Sequence, residues 1–103
     1  MNSIENESKP NLIEINGKNF EYDEDGFVNF GEIVRSFLEG RQVQYTSYFL
    51  NPLMAKKYNY PYLGEGIRIR EDPVGGYHKL GIHKDDIVTF LNRMKKHDDK
   101  KEQ

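Results

Sequence analysis

Apolar and polar residues alternate in residues 12–22, and this pattern predicts a β-hairpin. The apolar positions of the alternation are Ile13, Ile15, Phe20 and Tyr22. The dipeptide Asn16-Gly17 lies between the two halves and favours a two-residue turn, because both positions of such a turn need a positive φ. A second turn is predicted at 23–26, and residues 27–28 then form either a short strand or the approach to a helix.

The spacing of apolar residues becomes helical after Asn29 and predicts a helix over residues 31–39. The apolar face of this helix consists of Ile33, Val34, Phe37 and Leu38. Asn29 is a suitable N-cap, and Glu32, three residues later, suits the reciprocal position of a capping box. Gly40 stands where a C-terminal cap is expected.

A proline in the middle of the chain allows two interpretations. In the first, a helix begins at Thr46 or Ser47, and a second short helix covers residues 52–58 with Asn51 as its N-cap and Pro52 at its first position. These helices would form a helix-turn-helix, in which three side chains of the second helix point partly inward. The three side chains are those of Leu53, Met54 and Tyr58. In the second interpretation, one unbroken helix is kinked at the proline.

The second half of the chain predicts another β-hairpin. Residues 67–70 and 77–83 are strand-like and are separated by the turn sequence Pro-Val-Gly-Gly. Alternation places two isoleucines of the first strand on the core face and two arginines on the opposite face. The isoleucines are Ile67 and Ile69, and the arginines are Arg68 and Arg70.

An amphipathic helix is predicted directly after this hairpin. Its apolar face consists of Ile87, Phe90, Leu91 and Met94. Asp85 and Asp86 occupy its first turn, where carboxylates interact favourably with the helix dipole. The order of elements predicts an α+β fold, specifically a small winged helix-turn-helix-like domain with an N-terminal β-hairpin. We expect this single domain to cover residues 11–96, between a disordered segment at 1–10 and a flexible tail at 97–103.

Composition excludes several classes of protein. The chain has 103 residues and no cysteine, which rules out disulfides, thiolate metal sites and a cysteine nucleophile. No run approaches the roughly 20 apolar residues of a membrane span. The first residues are acidic and polar and lack the apolar region of a signal peptide, so we expect a cytoplasmic protein without a membrane partner.

No group of residues forms a recognisable catalytic or metal-binding motif. His78 and His83 would point to opposite faces of one strand and so could not share an ion. The acidic residues at 23–25 lack the ligand spacing of an EF-hand. The serines have no nucleophile motif around them. We therefore expect a protein that is not an enzyme and that holds no metal or cofactor.

Charge is distributed unevenly along the chain and suggests a polyanionic partner. Residues 1–30 carry two lysines and seven acidic residues, whereas residues 31–96 carry eleven basic and seven acidic residues. Basic groups on a hairpin and on a short helix can contact DNA phosphates. The DNA-binding candidates are Lys56, Lys57, Tyr58, Tyr60, Arg68, Arg70, His78 and Lys79. The alternative is a solvated basic face, with the tyrosines covering the core.

Parts of the chain resemble known DNA-binding families. The run at 75–91 resembles the end of phage excisionase and MerR-like winged-helix domains, in which a glycine-tipped wing leads to a strand and a helix. Residues 51–58, with Leu53, Ala55 and Lys56, are similar to the helix of those domains that enters the DNA groove. The entry at 25–29 is similar to that of KilA-N domains. These resemblances imply a small phage or mobile-element regulator that binds double-stranded DNA through a helix and a wing.

A protein-binding module is the competing function. Tyrosine is enriched at protein interfaces, and the chain has seven tyrosines and a net charge of −2. Such a module would be a phage-encoded inhibitor or adaptor of a host protein. The sequence also leaves a homodimer open.

Overall fold

The structure, a computed structural model, describes residues 11–72 and 76–101. The strands are β1 (Asn11–Ile15), β2 (Lys18–Tyr22), β3 (Phe27–Asn29), β4 (Ile69–Asp72) and β5 (Gly76–His83). The α-helices are α1 (Phe30–Phe37), α2 (Val43–Ser47), α3 (Pro52–Lys57) and α4 (Ile87–Lys101). Short 3₁₀ helices cover Tyr48–Leu50 and Lys84–Asp86. The predicted disorder at 1–10, the first three residues of the predicted turn at 73–76 and the last two residues of the predicted tail lie outside the described residues.

The strands form one five-stranded sheet in the order β1-β2-β3-β5-β4, with antiparallel neighbours. The predicted α+β class is therefore confirmed. The first hairpin is also confirmed, since β1 pairs with β2 in a register that places Ile15 opposite Lys18. Asn16 and Gly17 have φ values of 49° and 85°, which is the pair of positive angles that a tight hairpin turn requires.

The core lies between the sheet and the helices. The buried residues that form it are Ile15, Phe20, Val28, Phe30, Ile33, Val34, Phe49, Leu50, Leu80, Ile82, Ile87, Phe90 and Met94. Helices α1 and α4 meet where the fully buried rings of Phe30 and Phe90 lie 5.5 Å apart between centroids. This contact joins the N-terminal half of the chain to its last helix.

Helix α1 has the predicted N-cap but begins one residue earlier and ends two residues earlier than the sequence predicts. The side chain of Asn29 accepts a hydrogen bond from the backbone N–H of Glu32 at 3.0 Å, which confirms the N-cap. The helix ends at Phe37, two residues before the predicted end. Leu38 follows outside the helical region, at φ −122° and ψ 54°, and Gly40 takes a φ of +88° in the turn beyond it.

The break between α2 and α3 supports the two-helix interpretation. Asn51 is extended, at φ −122° and ψ 113°, so an unbroken kinked helix is wrong. Its side chain caps α3 by accepting from the backbone N–H groups of Leu53 and Met54. The predicted start of the preceding helix at Thr46 or Ser47 is also wrong. The Thr46 hydroxyl donates to the carbonyl of Gln42 at 2.7 Å, so Thr46 lies within a helix that begins at Val43.

The second hairpin and the final helix are confirmed, with changed limits. Strand β4 begins at Ile69, and the backbone N–H of the preceding residue, Arg68, donates to the Asp86 carboxylate at 2.8 Å. Helix α4 continues through Lys101, so residues 97–101 form its last turn. Asp98 pairs there with Arg41. Within the described residues, no helix has both the length and the apolar character needed to cross a bilayer.

Candidate nucleic-acid interface

A groove of about 500 Å³ separates α3 from the β4–β5 hairpin. Its lining comes from three parts of the chain. The lining residues are Ser47, Tyr48, Leu50, Asn51, Pro52, Leu53, Met54, Ile69, Glu71 and Leu80. The groove makes the short helix and the hairpin direct neighbours. These are the two elements on which the sequence places its DNA-binding candidates.

Three exposed lysines lie on the elements that border this groove. Lys56 and Lys57 occupy the last turn of α3, and Lys79 precedes the groove residue Leu80 in β5, with its side chain on the opposite, exposed face of the strand. Within 11–72 and 76–101, none of the three forms an ion pair with a carboxylate. Their charges are therefore available to a polyanion. The predicted candidate His78 lies on β5 as well, but its side chain is outside what the structure describes.

The exposed face of α3 combines one apolar and two cationic side chains. Leu53, Lys56 and Lys57 are related by three and four positions and so share a face of the helix. Leu53 is 78% exposed, which makes the expectation of an inward-facing Leu53 wrong. Ala55 takes the buried position of this helix instead. The Leu53 side chain is therefore accessible to a binding partner.

Four tyrosines form an aromatic cluster next to these lysines. Tyr48 and Tyr58 stack with centroids 4.8 Å apart, Tyr45 meets both rings edge-on, and Tyr60 lies 6.2 Å beyond Tyr58. The Lys57 ammonium lies 5.7 Å from the Tyr58 ring centroid. The nearby phenol of Tyr48 raises the pKa of Tyr58 above that of an ordinary tyrosine.

Sequence reasoning found only half of this cluster. Tyr58 and Tyr60 were candidates, whereas Tyr45 and Tyr48 were missed. Their separation of three residues, typical of neighbours on one helix face, was the available signal. Tyr60 has a second role, because it stacks on buried Phe49 with centroids 4.6 Å apart. It therefore connects the exposed aromatic surface to the core.

Arg68 is held by carboxylates at the start of the final helix. Its Nε lies 3.0 Å from Asp86 Oδ2, and its Nη2 lies 3.8 Å from Asp85 Oδ2. The Arg68 side-chain hydrogen bond lowers the pKa of Asp86, against the opposing effect of partial burial. This pair joins the hairpin to α4. It gives Arg68 a structural role that residue spacing alone did not indicate.

Arg70 is paired with the acidic turn that precedes β3. Its guanidinium binds the carboxylates of Asp23 and Asp25, the latter at 2.8 Å, and lies 4.6 Å from the ring centroid of Phe27. The acidic run at 23–25 thus compensates a basic residue 45 positions away. Within the part of the chain described, no group of three or more potential metal ligands occurs.

The Arg68–Asp86 pair makes acid stability depend on Asp86. A carboxyl group with a lowered folded-state pKa stabilises the fold above its unfolded pKa of about 3.9, and this contribution is lost as pH falls through the folded-state value. We expect Asp86→Asn to be less stable than the wild type at neutral pH. The two unfolding curves should converge well below the ordinary pKa of an aspartate. Urea denaturation at a series of pH values measures this.

Asp99→Asn is the matched control for that experiment. Asp99 is an exposed carboxylate on α4 that forms no ion pair with any residue described. Its replacement should leave the pH dependence of stability unchanged. A difference between Asp86→Asn and the wild type that is constant across the acid range would contradict the assigned linkage.

Comparison with protein-family models, with curated protein sequences and with solved structures finds no match to this chain.

Proposed function

We propose that this protein binds double-stranded DNA through α3 and the β4–β5 hairpin, as a non-enzymatic regulator of the winged helix-turn-helix type. The observation that carries the proposal is the set of three lysines without carboxylate partners among the described residues. These lysines, Lys56, Lys57 and Lys79, lie on two elements that border one groove. Phosphate neutralisation by such lysines supplies the sequence-independent part of DNA affinity.

The dimensions of α3 suit shallow entry into the major groove. Six helical residues span about 9 Å at 1.5 Å per residue, and the major groove is roughly 12 Å wide. Lys56 and Lys57 would contact phosphates on the wall of the groove. Leu53 would face the bases, where an apolar side chain can contact the methyl group of thymine.

The two arginines of the hairpin have a structural role in this proposal, whereas the lysines contact phosphate. Arg68 and Arg70 each have carboxylate partners, so a DNA phosphate would have to displace an existing ion pair. We assign them to holding the hairpin in position against α4 and the turn at 23–25. The tyrosine cluster lies next to the C-terminal end of α3, where the Tyr58 hydroxyl would donate to an oxygen of the DNA backbone.

The proposed origin and location follow from the family resemblance. A small domain with a short helix, a wing and a closing helix suits a phage or mobile-element regulator in the cytoplasm. Such proteins commonly bind as symmetric dimers to paired half-sites. A homodimer on DNA is therefore part of the proposal.

Titration into labelled duplex DNA tests this function. We expect binding at about 50 mM salt that weakens strongly by about 200 mM, because phosphate contacts release counterions. The matched variants Lys79→Glu and Lys95→Glu change the same charge on β5 and on α4. Only Lys79→Glu should lower the affinity. Absence of binding at the lower salt concentration would refute the proposal.

The second candidate is a protein-binding module, which the groove and exposed Leu53 favour. A protein partner would insert an apolar side chain between α3 and the hairpin and cover Leu53. In that case, Leu53→Asp would abolish capture of the partner, whereas Lys79→Glu would not. An inhibitor or adaptor of a host protein would fit this behaviour.

A further inference from the structure

A second pocket of about 260 Å³ lies on another part of the surface, between α4 and the loop before the hairpin. Its lining combines apolar and basic residues. The lining residues are Pro61, Leu63, Arg93, Lys96, His97 and Lys100. The last four are spaced at three, four and seven positions along α4 and so share one helix face. None of these residues borders the groove beside α3.

The loop side of this pocket is fixed to the fold by hydrogen bonds. The Arg93 guanidinium donates to the carbonyl oxygens of Leu63 and Glu65 at 2.8 and 2.7 Å. The backbone N–H of Leu63 donates to the carbonyl of Phe49 at 2.8 Å. The pocket is therefore already formed in the free protein, and its apolar floor does not depend on a ligand.

The basic residues around this floor have no carboxylate partner within the described residues. Lys96 and Lys100 are exposed, and neither they, Arg93 nor His97 forms an ion pair there. The neighbouring carboxylate of Asp98 is instead paired with Arg41. The three permanently charged residues around the small apolar floor are Arg93, Lys96 and Lys100. This arrangement suits a ligand that carries negative charges beside one apolar group.

We propose that this pocket binds an acidic peptide segment of a partner protein, with one large apolar side chain seated against Pro61 and Leu63. The pocket is smaller than the roughly 300 Å³ at which small-molecule clefts begin, so it suits one side chain rather than a whole metabolite. Carboxylates on either side of that side chain would reach Lys96 and Lys100. A DNA backbone carries the charge but has no apolar group to seat on the floor.

This function is independent of DNA binding by the groove beside α3. It would let the protein hold an acidic partner with one surface while α3 and the hairpin remain accessible. The cations involved, on α4, are different from the three lysines assigned to phosphate. The two activities can therefore be removed separately.

Fluorescence anisotropy with a labelled peptide, Asp-Glu-Asp-Phe-Glu-Asp-Glu, tests the proposal on the full chain. We expect saturable binding at about 50 mM salt. Replacing the peptide phenylalanine with alanine should weaken binding at least about tenfold, the effect of leaving one large side chain unburied. This change leaves the protein intact, so it cannot act through misfolding.

Lys96→Glu and Lys95→Glu form the matched pair of protein variants. Both are exposed lysines on α4, but Lys95 borders a different surface depression with Asn16 and Asp99. Lys96→Glu should lower peptide affinity about tenfold, the effect of losing one hydrogen bond to a charged group. Lys95→Glu should leave it nearly unchanged.

Three results would overturn the assignment. The first is no peptide binding at the lower salt concentration. The second is an equal loss with both lysine variants, which would indicate general attraction to a polyanion. The third is a short DNA duplex that displaces the peptide from the wild type but not from Lys96→Glu, which would make nucleic acid the occupant. A failure of DNA binding at α3 would not change the interpretation of any of these three results.

Discussion

Replacing Lys56 and Lys57 together with glutamate is expected to lower the affinity for duplex DNA at least about 60-fold at 0.1 M salt. Each phosphate contact releases about 0.9 of a counterion, which is worth roughly eightfold in affinity at 0.1 M relative to 1 M salt, and two contacts are lost. The added negative charges should increase the loss further. Both side chains are exposed at the end of α3 and have no carboxylate partner among the described residues. The thermal unfolding midpoint should therefore stay nearly constant.

The adjacent pair Lys95 and Lys96 provides a matched control for this prediction. Lys95→Glu/Lys96→Glu makes the same change of charge on exposed residues of α4. It should reduce DNA affinity far less, since these lysines lie away from the groove between α3 and the hairpin. Equal losses for the two double variants would show that overall charge, and not the α3 surface, governs binding.

Phe90→Ala is expected to destabilise the protein by about 3–5 kcal/mol, the usual cost of removing a buried aromatic ring from a core. Phe90 is fully buried and packs on fully buried Phe30. Small domains are stable by only about 5–15 kcal/mol, so this loss removes a large part of the total. Equilibrium denaturation in urea, followed by circular dichroism, measures the change.

Val88→Ala tests whether that effect comes from burial. Val88 lies on the same helix but is 48% exposed, and surface substitutions usually change stability by less than about 0.5 kcal/mol. A similar destabilisation by both variants would contradict burial against Phe30 as the source of the effect, because alanine raises helix propensity at both positions. Only Phe90→Ala should also increase the exposure of apolar surface to a hydrophobic dye.

Local signals explain the parts of the fold that could be predicted. Asn16-Gly17 specified its turn because few other dipeptides accept two positive φ angles. Asn29 and Asn51 specified helix starts because their side chains satisfy backbone N–H groups within three residues. The apolar spacing of α4 likewise identified Phe90 as a core residue.

The remaining errors came from interactions that local spacing does not encode. The start of α2 at Val43 lacked a capping signal, because Gln42 makes no side-chain cap hydrogen bond. The exposure of Leu53 depends on which face of α3 meets the core, and six residues are too few for a clear apolar stripe. Each of these features is decided by packing between distant segments.

The roles of the candidate site residues depend even more on contacts between distant segments of the chain. Arg68 and Arg70 look equivalent to the lysines by spacing, yet their carboxylate partners lie 18 and 45 residues away in the chain. Alternation predicted that both arginines lie on one face of the hairpin, although Arg68 lies just before β4 in the structure. It could not show that this face meets Asp86 on one side and the turn at 23–25 on the other.

The salt dependence of DNA binding tests the central claim most directly. Three phosphate contacts per protomer predict a slope, for each bound protomer, of about −2.7 for log affinity against log salt concentration, falling to about −1.8 in Lys79→Ala. Arg70→Ala should leave the slope unchanged, because Arg70 is occupied by Asp23 and Asp25. Absence of binding, or a slope near zero, would contradict the account. So would a slope near −4.5 that decreases when Arg70 is replaced, since about five contacts would then include the arginines.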